Sequence, residues 1–195
     1  MNSDTWYEQI ASNESLTQGD IILNCPILRW DEGIDFQISD KDENEILKKA
    51  VSPISVDVVI MTQACDLEQN KVSNVVLCPH FPLSSYKIDW ENSFKDRGQN
   101  PTARSWRNFC DDIKNGYIWN LSLLNSEAGN PLSTEVRVVD FHEVYTVPRL
   151  FLDNLVKHRK QPRLRLNPPY REHLSQAFAR YFMRVGLPIP ITVDL

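Results

Sequence analysis

Apolar and polar residues change period several times along this chain, and each change predicts an element. Trp6 and Ile10 behind Asp4 predict a short capped helix over Thr5–Ala11. After Gly19-Asp20, Ile21–Leu23 reads as a strand that Pro26 stops. Alternation at Ile34, Phe36 and Ile38 predicts a half-buried strand, and the charged run Asp40–Lys49 a surface loop or short helix. The clearest strand is Val56–Thr62, with Val75–Leu77 as its partner across the polar turn Glu68–Asn74. Pro79–Pro101 has no clean period, only the aromatic anchors Phe81, Tyr86, Trp90 and Phe94.

Beyond it, Trp106, Phe109, Cys110 and Ile113 fall on one face of a helix that Asn115-Gly116 ends. Tyr117–Leu124 and Glu135–Thr146 read as two strands around turn chemistry at Ser126–Asn130. Pro148 opens a helix through Lys157. Pro168-Pro169 opens another, carrying Leu174, Ala177, Phe178, Tyr181, Phe182 and Val185, which Gly186 and Pro188 end. The expected fold is α+β, a small bent antiparallel sheet or open β-barrel with helices packed at the C-terminal end. One domain spans 1–195: a β-rich, barrel-like core over 1–147 with short helices, and a basic helical region over 148–195.

Composition supports a packed core without staples, since 195 residues include five Trp, eight Phe and six Tyr. The longest apolar stretch, Val56–Met61, is interrupted by Asp57 and far too short to span a bilayer, so no membrane association is expected. Met1–Trp6 lacks the basic and apolar regions of an export signal, which places the chain in the cytoplasm with its four cysteines as thiols or metal ligands.

Charge is uneven. Residues 1–100 hold 17 Asp and Glu against 8 Lys and Arg, whereas residues 101–195 hold 9 against 13. The basic set Arg159, Lys160, Arg163, Arg165, Arg171, Arg180 and Arg184 is the candidate surface for a nucleic acid or an acidic protein partner. Arg163 and Arg165 alternate with leucines, which puts both guanidinium forks on one side of an extended segment.

Two other patterns can carry chemistry. Gln63, Cys65 and Asp66 follow the best strand, where a rigid element meets an exposed loop; Cys65 becomes a nucleophile if a base such as His80, His142 or His158 folds beside it. Cys25, Cys65, Cys78 and His80 are a legitimate zinc donor set, although the short Cys-x-x-Cys knuckles are missing. Phosphate-loop, dinucleotide, zinc-protease and nucleophile-elbow motifs do not occur.

The strand-plus-motif Val58–Glu68, containing Thr62-Gln63-Ala64-Cys65-Asp66-Leu67-Glu68, resembles a family of uncharacterised bacterial proteins. The similarity includes Gly19-Asp20-Ile21, Cys25-Pro26 and the tail from Pro169-Tyr170-Arg171-Glu172-His173-Leu174 to Gly186-Leu187-Pro188. The opening and buried strand are also loosely similar to the small barrel of PemK/MazF-like toxin ribonucleases. Asn24-Cys25-Pro26 stands where those enzymes place basic and hydroxyl residues, so the resemblance implies the scaffold with its chemistry lost or exchanged. The expected function is a non-catalytic binding or accessory protein of a bacterial system, one acting against mobile elements. The alternative is a toxin-like ribonuclease, or a hydrolase centred on Cys65 and Asp66.

Overall fold

A computed structural model describes residues 5–31, 33, 43–129 and 132–183. The strand expected at Ile34–Ile38, the helix stop at Gly186-Pro188 and Arg184 lie outside them.

Eight strands and six helices are formed among the described residues: β1 (Tyr7–Ile10), β2 (Ile21–Trp30), α1 (Glu43–Ala50), β3 (Val51–Ile60), α2 (Ala64–Glu68), β4 (Asn74–Pro82), α3 (Leu83–Lys95), α4 (Ala103–Lys114), β5 (Leu121–Leu124), β6 (Arg137–Asp140), β7 (Tyr145–Pro148), α5 (Arg149–Arg159), β8 (Arg163–Leu166) and α6 (Tyr170–Phe182). The fold is α+β, as the periodicities predict. Its antiparallel main sheet runs β2-β3-β4-β6-β5, with β7 also on β4, and does not close into a barrel. β1 and β8 form a separate two-stranded ribbon.

The centre of the sheet is apolar on both faces because both are covered. Val58, Ile60, Val75 and Leu77 pack on one side with Leu152 and Val156 of α5. Val59, Met61 and Cys78 pack on the other with Tyr7, Leu166 and Leu174 of β1, β8 and α6. On β2 a bulge separates Ile22 from Cys25, with Asn24 at φ 49°. The extra residue resets the alternation, so Ile22, Cys25 and Ile27 all face the α5 side.

Four expectations are corrected. Thr5–Ala11 is not a helix; Tyr7–Ile10 pairs with Leu166–Arg163, a partner more than 150 residues away in sequence. Pro26 does not stop β2, because among the described strands β2 lies at the edge of its sheet, where a missing N–H can be tolerated. The strand expected over Glu135–Thr146 is broken at Phe141, which is fully buried; its halves β6 and β7 pair with successive parts of β4. The irregular stretch after Pro79 contains α3, whose Tyr86, Trp90 and Phe94 recur every four residues. Trp90 packs on Trp106 and Phe109 of α4 at ring separations of 5.1 and 5.5 Å. The expected helix around Trp106–Ile113 is α4, and it opens with a Thr102–Ser105 capping box.

Candidate functional site

The Gly-Asp-Ile opening is a structural joint. Gly19 sits at φ +84°, and a Cβ there would lie 3.1 Å from Leu166 Cβ, so the position requires glycine. Its N–H donates to Ile60 O and its carbonyl accepts from Leu166 N, tying the β1–β8 ribbon to β3. Asp20 beside it is fully buried. Its carboxylate accepts from Arg163 Nε at 2.7 Å, from Arg165 Nη2 at 3.1 Å, from Arg165 Nε, and from Thr17 N at 3.2 Å. Arg163 also donates to the carbonyls of Ala11, Glu14 and Ser15, and Arg165 to that of Ser15. Alternation does put both guanidinium groups on one side, but they face a buried acid rather than a partner.

A second charged network crosses the sheet beside the β2 bulge. Asp57, in the middle of an apolar strand, accepts from Asn24 N at 2.7 Å and pairs with the Arg137 guanidinium. Arg137 Nε donates to His80 Nδ1 at 2.6 Å, so the imidazole proton is on Nε2. That nitrogen is buried and has no hydrogen-bond partner among the described residues. Burial, and then the Arg137 charge, lowers the His80 pKa to about 3 and keeps the ring neutral. Arg159, at the end of α5, donates through Nη1 and Nη2 to the carbonyls of Leu23 and Asn24, so it also holds the bulge.

Between the β1–β8 ribbon, the start of β2, the end of α5 and residues 132–137 lies a cleft of about 570 Å³. Ile21, Leu124, Val156 and Leu164 supply apolar lining. Ser133, Thr134 and Gln161 add hydrogen-bonding groups, and Arg137, Arg159 and Arg163 add charge, with Glu135 as the acid. Arg137 and Arg163 are matched by Asp57 and Asp20. Arg159 forms no ion pair with any described residue, and Arg137 Nη1 makes no hydrogen bond to one. A concave, partly apolar site with unspent guanidinium donors suits a ligand that joins an apolar body to an anionic group.

The residues nominated from sequence are redistributed by the fold. Gln63, Cys65 and Asp66 do meet, at the exposed start of α2: the Cys65 thiol is 3.7 Å from Gln63 Oε1 and 3.8 Å from Asp66 Oδ1. None of the hydrogen bonds of that thiol involves a histidine. Buried Thr62 accepts from Val76 N at 2.7 Å, so part of this motif works as a strand clasp.

The zinc set Cys25, Cys65, Cys78 and His80 does not converge. Cys25 and Cys78 belong to the cores on opposite sides of the sheet, His80 is held by Arg137, and Cys65 is exposed. Among the described residues, no group of three His, Cys, Asp or Glu side chains is arranged to hold a metal ion. Burial pushes the Cys25 thiol up to about 11 and, aided by Asp140, that of Cys78 up to about 12.

The continuous basic face is also absent from the described residues. Besides the internal pairs of Arg163 and Arg165, Arg171 bridges Glu172 at 2.6 Å, and Arg180 stacks over Trp119 at 4.7 Å from the ring centre. Lys160 is exposed in a left-handed turn that ends α5.

Sequence reading missed Asp20, Asp57 and Arg137 as parts of the site. Asp57 did carry a signal, because an acid inside an apolar strand requires a cation brought by the fold. No family model, curated protein or solved structure matches the chain.

Proposed function

We propose that the protein is a non-catalytic nucleic-acid-binding accessory component of a bacterial defence system, and that it engages its ligand at the arginine-lined cleft. The observation that carries this reading is Arg159, which lines the cleft and whose guanidinium has two backbone carbonyls as partners and no carboxylate among the described residues. Arg137 lines the same cleft, and Lys157 and Lys160 flank Arg159 in sequence. Phosphate groups are the natural counterpart of such donors. A cytoplasmic setting agrees with four cysteines that form no disulfide. No described helix is long and apolar enough to cross a membrane.

Fluorescence anisotropy with labelled RNA and DNA across a salt series tests the reading. Binding is expected to weaken with salt, and Arg159→Gln to lower the slope of log K against log salt by about one, which is the signature of a lost phosphate contact. Unchanged affinity and slope in the folded Arg159→Gln protein would remove the cleft from the function. Salt-insensitive absence of nucleic-acid binding, together with capture of an acidic protein, would replace the ligand class.

The second reading, a hydrolase or ribonuclease centred on Cys65, rests on Gln63, Cys65 and Asp66 meeting at one exposed point. Loss of a hydrolytic activity in Cys65→Ser would establish it.

A further inference from the structure

Resting on the cleft as the binding site, we propose that it seats one unpaired nucleotide of a single strand, with the base against the apolar lining and the phosphate on the arginines. Size sets the first limit. About 570 Å³ lies in the range of small-molecule sites, and only a group turned out of a helix can enter it. Duplex nucleic acid can touch the rim but cannot fill the space.

The lining sets the second limit. Leu23, Leu132, Pro162 and Leu164, which line the cleft and are half-buried or exposed, offer the kind of apolar surface on which a base face can rest. An aliphatic anion would satisfy that surface equally well but would leave Ser133, Thr134 and Gln161 facing a chain with no polar edge. A base presents donors and acceptors around its rim, which those three side chains can meet. Charge sets the third limit. Arg159 and Arg137 line the same cleft, so an anionic group must lie within one nucleotide's reach of the apolar part. A nucleotide has this construction.

The experiment uses the full chain and four labelled ten-residue strands: RNA and DNA, each complete or with its central sugars lacking bases. All four carry the same phosphate charge, so a purely electrostatic contact binds complete and abasic strands alike. The proposal expects at least a tenfold loss for the abasic strand of the preferred sugar, and displacement of the complete strand by a nucleoside 5′-monophosphate. Thr134→Trp, which fills the cleft from a half-buried position, is expected to weaken the complete strand to the abasic level without changing a matching duplex. If complete and abasic strands bind equally and the monophosphate does not compete, the nucleotide pocket is refuted while the nucleic-acid reading stands. If no strand binds at low salt, both are refuted. Should Thr134→Trp fail to fold, the abasic comparison in the parent chain decides alone.

Discussion

Asp20→Asn is the most informative single change, because the structure makes one fully buried carboxylate the counter-charge for two arginines. Asparagine keeps the shape and one acceptor oxygen but removes the negative charge. Arg163, with a side chain only 5% exposed, then loses its ion pair, and Arg165 loses both of its bonds to a carboxylate. Their remaining partners, the carbonyls of Ala11, Glu14 and Ser15, carry no full charge. Removing one member of a buried pair costs about 3–5 kcal/mol, since the surviving cation stays out of water uncompensated. Against a total stability of about 5–15 kcal/mol, that is a large share. The expected shift in Tm is a drop of about 10 °C for a chain of this length.

Urea unfolding followed by circular dichroism measures the cost, with the midpoint falling while the slope with denaturant stays constant. An Asp20→Asn, Arg163→Met double variant should recover part of the loss, because it deletes the stranded charge. A cost below about 1 kcal/mol for Asp20→Asn would refute the assignment of Asp20 as the buried counter-ion.

Two further outcomes follow from the other buried groups. His80 stays neutral in the native protein down to about pH 3 but protonates near its ordinary value when unfolded. Its contribution is therefore fully present above about pH 6.5 and is lost as pH falls from there toward about 3, by at most about 1.4 kcal/mol per pH unit. Between pH 6.5 and 5, His80→Asn should show a flatter stability curve than the parent; parallel curves would exclude His80 as the titrating group. Thiol labelling of the native protein should modify exposed Cys65 in the first phase, with Cys25 and Cys78 protected until unfolding. Equal rates at Cys25 and Cys65 would contradict the burial of Cys25 beneath α5.

Elements with a strong local period are legible in the chain itself. β3 and β4 announce themselves by apolar runs, α4 and α6 by spacing of three and four, and the extended Arg163–Leu166 by alternation. α3 is legible in principle, through Tyr86, Trp90 and Phe94, but a proline-rich neighbourhood obscures the four-residue step. β1 is not, because Trp6, Tyr7 and Ile10 satisfy a helical spacing as well as a strand; pairing with β8 decides between them. The nominated chemistry fares according to range. Gln63, Cys65 and Asp66 lie within four residues and stay together. Cys25 and Cys78 are assigned to opposite faces by strand alternation and the β2 bulge.

Sequence alone determined that the chain is α+β, which central strands are buried, and that its basic residues gather late. Those properties follow from local spacing and side-chain type. Tertiary structure alone decided what the charges are for. Asp20 meets Arg163 and Arg165 across more than 140 residues, and Asp57 meets Arg137 across 80. The same pairing leaves Arg159 on the bulge carbonyls at the edge of a cleft, without a carboxylate partner among the described residues. Burial makes an ion pair depend on geometry, and geometry between distant segments is set by how the sheet, ribbon and helices pack.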